Sequence, residues 1–99
     1  MYARLVSGQT NIEKLDEVIK IWKEKDTPLM KSVKGYRGSY LLTDRKTGKA
    51  ISITFWESER DAIADEQSKL HQQQVSLYKD LIPGEYSHQR YEISARDKM

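Results

Sequence analysis

Alternating apolar and polar side chains mark four strands, and two longer stretches follow the helical period instead. Tyr2 to Ser7 carry Tyr, Leu and Val in a short extended run, and Gly8 closes it. Ile12, Leu15, Ile19 and Trp22 then recur three and four apart. Val18 and Ile21 widen this stripe, and Glu13, Lys14, Glu17, Lys20 and Lys23 take the opposite face. Such a helix buries one side, and Trp22 is expected in the core with the rest of the stripe. Thr10 and Glu13 have the spacing of a capping box. Thr27-Pro28 is placed to start a second short helix, because proline suits a first helical turn. Leu29, Met30 and Val33 form its apolar side, and Gly35 ends it.

Tyr36 to Thr43 and Ala50 to Trp56 read as a hairpin joined by DRKTGK, with Gly48 supplying the positive φ such a loop needs. Polarity fixes the register: Leu42 falls opposite Ile51 and Tyr40 opposite Ile53. The other face then carries Leu41 near Ser52, Ser39 near Thr54 and Arg37 near Trp56. Ser58 and Asp61 open a helical stretch that runs to about Ile82, where Pro83-Gly84 stop it. Ile63, Leu70, Leu77 and Leu81 are its stripe. Ser68 and the glutamines weaken the middle, so one helix or two with a kink both satisfy the pattern. Tyr86 to Ser94 read as a last strand, and the polar tail from Arg96 is expected to fray.

The order β-α-β-β-α-β predicts an α+β, ferredoxin-like antiparallel sheet with helices on one face. The chain, 1–99, reads as a single domain. The pattern leaves open which sheet face looks at the helices. On the second face Leu41, Ala50 and Trp56 interrupt any solvent pattern, which predicts a sheet-to-sheet homodimer.

Composition narrows the function classes. Cysteine is absent, which removes disulfides, thiolate nucleophiles and cysteine metal sites and favours a cytoplasmic location. No apolar run reaches the length of a signal peptide or membrane span. The net charge of +2 is too small and too dispersed for a nucleic-acid binder; Glu24 and Asp26 interrupt the loose basic region of Lys23, Lys25, Lys31, Lys34 and Arg37. KGYRGSYLL approaches an RNA-recognition signature, but Gly38 stands where that signature stacks an aromatic, and the segment lies on the second strand. Gly35 and Gly38 do not lead into a helix, so no dinucleotide fingerprint forms. His71 and His88, far apart and without cysteine, make no metal site.

KGYRGSYLLTDRKTGKAISITFWESERDA resembles the antibiotic biosynthesis monooxygenase (ABM) domains of the dimeric α/β barrel superfamily. The likeness lies in Gly35-Tyr36, the LLTD strand end, the turn with Gly48 and the strand ending Trp56-Glu57-Ser58; YEISAR resembles that family's final strand. The resemblance implies a homodimer of two sheets packed face to face, with a cleft between each sheet and its helices. Enzymatic members oxidise phenols or quinols with O2 and no cofactor. Others bind and degrade haem, and a non-catalytic ligand-binding dimer is the remaining alternative.

The resemblance also nominates residues. Trp56 matches a tryptophan that lines the cleft in active relatives, where an indole stacks on a planar ligand. Ser52 stands where quinol-oxidising relatives have an asparagine, and Ala62 and Ser76 stand at the approximate places of their tyrosine and arginine. His71 is the candidate proton acceptor on the long helix and the candidate ligand in a haem protein, although YARLVS lacks the first-strand asparagine of haem-degrading relatives. The expected catalytic set is therefore Trp56, His71 and Ser52. Arg37, stacked on Trp56 or bound to an anionic group, joins Tyr36, Tyr40 and Tyr91 as the expected ligand-binding set. The expected ligand is a small or polycyclic aromatic, with no metal and no cofactor other than haem in the alternative reading.

Overall fold

The computed structural model describes residues 1–97. Lys98 and Met99, part of the expected frayed tail, lie outside the described residues. β1 (Tyr2–Gln9) is followed by a 3-10 turn (Ile12–Lys14), α1 (Leu15–Ile21), a π-helical segment (Trp22–Asp26) and α2 (Thr27–Met30). Next come β2 (Tyr36–Asp44), β3 (Lys49–Trp56), α3 (Glu59–Glu66), α4 (Lys69–Ser76) and β4 (Ser87–Glu92). The sheet order is β2-β3-β1-β4, with each neighbouring pair antiparallel. This is the ferredoxin-like arrangement that the element order predicts.

The hairpin register is the expected one: Leu42 pairs with Ile51 and Tyr40 with Ile53. Gly48 sits at φ 83, and its carbonyl accepts from the Thr10 amide at 3.0 Å, tying the hairpin loop to the end of β1. At the far end a bulge intervenes. Tyr36 pairs with Trp56 and Gly38 with Phe55, so Arg37 is the extra residue and does not stand opposite Trp56.

One helical expectation changes. Thr10 does not cap the first helix; its hydroxyl donates to the Leu81 carbonyl at 2.5 Å and so anchors the chain after α4. The short helix expected from Thr27-Pro28 is α2, with the proline in its first turn, and helical backbone leads into it. Pro28 has no N–H to offer the Glu24 carbonyl, and the backbone widens into the π-helical turn instead of breaking. The second helical stretch is split as the weak middle allowed. Ser58 caps α3 by accepting from the Asp61 amide at 3.1 Å, and Ser68 caps α4 by accepting from His71 at 3.1 Å.

The helices cover the sheet face that carries Arg4, Ser52, Thr54 and Trp56. Leu41, Ala50 and Trp56, whose apolar character suggested an uncovered face, therefore look at the helices. Met30 and Ala62 pack on Trp56, and Val18, Tyr78, Leu81 and Ile82 form a second cluster against Leu41. The opposite face is left open. It carries Leu5, Ile51, Ile53 and Phe55, all partly exposed, with Tyr40 48%, Leu42 48% and Tyr91 54% exposed. The open face is thus more apolar than the sheet face under the helices, the reverse of a monomeric two-layer domain.

Candidate functional site

The helix-facing side of β1 and β3 is unusually polar for a core. Arg4 is 3% exposed in mid-strand and Thr54 is buried beside it. Burying a guanidinium is tolerated only with partners. Arg4 Nη2 donates to Asp65 Oδ2 at 2.9 Å, Nη1 donates to the Ala62 carbonyl at 3.3 Å, and Glu66 lies 3.8 Å away. The guanidinium carbon also stands 5.0 Å from the centre of the Trp56 ring, a cation–π stack. Arg4 thus takes the place expected for Arg37. Arg37, bulged outward, pairs at the surface with Glu57 at 2.9 Å.

Above this layer a cleft opens between the sheet and the helices. Its volume is about 100 Å³. A single water needs only about 10–15 Å³ by this measure. Pockets for drug-sized ligands run to roughly 300–1,000 Å³. The cleft as it stands has the size for a small ligand and not for a haem. Apolar lining comes from Val18, Trp22, Leu41, Val75 and Ile82. Polar lining comes from Ser52, Asp26, His71, Gln74 and Tyr78.

Of the sequence-expected catalytic set, Ser52 and His71 reach this lining. Trp56 does not. It is 0% exposed, sealed by Arg4, Tyr36, Met30 and Ala62. Tyr36 packs edge-on against it with ring centres 6.1 Å apart, and the Tyr36 hydroxyl is engaged with Ser39 at 2.8 Å. Tyr40 and Tyr91 lie on the open sheet face. Strand parity puts them there, since Tyr40 pairs with Ile53 and Tyr91 with Ala3. The indole that does line the cleft is Trp22, half-buried at the start of the π-helical segment.

His71 projects from the first turn of α4 with Nδ1 3.7 Å from Asp65 Oδ2, too long for a hydrogen bond. Burial and the nearby Arg4 charge outweigh Asp65 and hold the imidazole below its ordinary 6.5, so it is a neutral base near pH 7. Its ring lies 6.3 Å from that of His88. Among the described residues no group of three or more His, Cys, Asp or Glu side chains could hold a metal ion.

A second polar cluster escaped the sequence reading. Asp26, at the end of the π-helical turn, accepts from Gln74 Nε2 at 2.6 Å and from the Tyr78 hydroxyl at 2.6 Å. Burial raises its carboxyl above the ordinary 3.8, and the two hydrogen bonds pull partly against that rise. Burial, and then the adjacent Asp26 charge, push the Tyr78 phenol far above its usual range, so it remains a hydrogen-bond donor. The only sequence signal for Asp26 was an acidic residue just before Thr27-Pro28, which has the look of a helix boundary.

No protein-family model matches the chain, and no curated protein matches it in sequence. Solved structures do match in shape. A Streptomyces coelicolor monooxygenase in complex with nanaomycin D superposes with a TM-score of 0.81 at 9% identity, over 99% of this chain and 91% of that one. The haem-degrading protein of Mycobacterium tuberculosis, solved with two haems in its active site, gives 0.77 at 12% identity over 99% and 100%. A Deinococcus radiodurans protein, described as a candidate antibiotic biosynthesis monooxygenase, gives 0.77 at 11% identity over 100% and 98%. At these identities the likeness lies in the fold. The chain has the ferredoxin-like fold shared by antibiotic biosynthesis monooxygenases and a haem degrader.

Proposed function

We propose that the protein is an ABM-type monooxygenase that oxidises a one- or two-ring phenol with O2 and no resident cofactor. The observation that carries this reading is the cleft itself: a small cavity with Trp22 and aliphatic walls that also holds a neutral imidazole, His71. The apolar walls receive the ring, and Ser52 holds a polar substituent. His71 takes the phenolic proton, since a phenolate is the form that gives an electron to O2. The overall change is phenol plus O2 to quinone plus water. One oxygen atom becomes the new carbonyl, and the other leaves as water with the hydroxyl hydrogen and the displaced ring hydrogen. Exclusion of bulk water keeps the phenolate positioned and protects the oxygenated intermediate.

A second copy of the chain completes this assembly. The open sheet face carries Tyr40, Leu42, Ile51, Ile53 and Phe55, a contiguous apolar surface that a sheet-to-sheet homodimer covers.

The test is oxygen uptake with 1-naphthol. Saturable uptake is expected, falling about 10²–10⁴-fold in kcat in His71→Ala, the usual loss for a missing general base. Saturable quenching of Trp22 emission with no oxygen uptake would make the protein a ligand-binding module and end the enzymatic reading.

A further inference from the structure

Asp26 reaches the cleft because the π-helical turn swings the end of the first helix toward it. Such turns frequently occur at functional sites. Both carboxylate oxygens are gripped, Oδ1 by Gln74 and Oδ2 by Tyr78, and all three side chains line the same cavity as His71. The Gln74 amide nitrogen is committed to Asp26, so its Oε1 is turned away. That oxygen is buried and has no partner in the protein. A buried acceptor without a donor is costly, and a hydroxyl on a bound ligand supplies the donor. Each Asp26 oxygen also keeps a second lone pair for a proton.

The reaction proposed above removes two protons, one from the phenol and one from the ring carbon, and His71 takes the first. After O2 adds to the phenolate, the ring carbon carries both a hydrogen and a hydroperoxide. Forming the quinone requires removal of that ring hydrogen as the O–O bond breaks. Resting on the oxygenase reading, we infer that Asp26, held in place by Tyr78 and Gln74, removes this C–H proton and returns it to the departing hydroxide. The C–H electron pair becomes the second bond of the new carbonyl, the O–O pair leaves with hydroxide, and the Asp26 proton converts hydroxide to water. His71 returns its own proton earlier, to the peroxide, so both residues end the cycle as they began. Asp26 is the catalytic residue in this step; Tyr78 and Gln74 position it. Its raised carboxyl is a better proton acceptor than an exposed carboxylate, and Tyr78, Gln74, Arg4 and His71 are the groups that limit the rise.

The experiment follows 1-naphthol oxidation in wild type, Asp26→Asn and Tyr78→Phe, with oxygen uptake, organic hydroperoxide and pH dependence as readouts. Asp26→Asn is expected to keep KM near wild type and lose about 10²–10⁴-fold in kcat for quinone formation. It should also release an organic hydroperoxide that wild type does not accumulate. Tyr78→Phe removes a hydrogen bond that lowers the Asp26 carboxyl, so the acid limb of hydroperoxide breakdown, the step assigned to Asp26, should move to higher pH. Undiminished quinone formation in Asp26→Asn, or an unmoved acid limb of hydroperoxide breakdown in folded Tyr78→Phe, overturns the role of Asp26 while leaving the oxygenase reading intact. Absence of uptake by wild type itself would overturn both.

Discussion

Arg4 is almost wholly withdrawn from bulk solvent, so its neighbours must offset its charge. Asp65 supplies a fully buried carboxylate at 2.9 Å, and the Trp56 ring supplies a π face at 5.0 Å. Together they form the floor beneath the cleft. Removing one partner of such a pair is more damaging than never having built it, because the remaining charge stays buried. Asp65→Ala is therefore expected to lower unfolding free energy by about 3–5 kcal/mol. Urea denaturation measures this, and a loss below about 1 kcal/mol, the level of an exposed pair, would contradict the account. The pair was not legible in the sequence. Arg4 and Asp65 are 61 positions apart, and a lone arginine in YARLVS looks like an outward-facing strand residue. His71 and Ser52 entered through the family resemblance, and the structure puts both in the lining of the cleft. Trp56 was legible as buried, but what covers it depended on which face the helices chose.

Among the elements, the hairpin was the most readable and its outer end the least. Alternation fixed the Leu42–Ile51 and Tyr40–Ile53 pairs, because a slip of one residue would have mixed the faces. Arg37 escaped the same logic because a bulge adds one residue and resets the parity beyond it. The 3.6-residue period of the first helix carries Trp22 to the sheet side with the rest of the stripe, and Asp26, at the end of the π-helical turn that follows, lines the same cleft. The hairpin loop depends on Gly48, whose φ of 83 disfavours any side chain. A β-carbon there would also collide with the Thr10 carbonyl oxygen. Backbone strain of this kind costs on the order of 1–3 kcal/mol. Gly48→Ala should lose at least that much stability in thermal or urea unfolding. A neutral substitution would mean that the tie between the hairpin loop and Thr10 is dispensable.

For the whole molecule, the distribution of polarity between the two sheet faces is the governing fact. The face under the helices mixes Arg4, Ser39, Ser52 and Thr54 with Leu41, Ala50 and Trp56, while the face without helices carries Leu5, Tyr40, Leu42, Ile51, Ile53 and Phe55. A 99-residue chain buries only about two-thirds of its unfolded surface, so covering that open face adds substantially to stability. Light scattering at low micromolar concentration is expected to give twice 11.6 kDa. Ile53→Lys puts a charge at the centre of the open face and should give a folded monomer, read by circular dichroism and mass together. A wild-type monomer would remove the dimer from the account. The sequence indicated an interface but not its face, since Leu41, Ala50 and Trp56 are as apolar as an interface needs and are used inside the fold instead.

The proposed oxygenation transfers one oxygen atom of O2 to the phenol in the cleft. The most direct measurement is the oxidation of 1-naphthol under ¹⁸O2, with mass spectrometry of the quinone. One labelled oxygen is expected in the product, with loss of that product in His71→Ala. An unlabelled quinone, or hydrogen peroxide as the sole fate of O2, would contradict it.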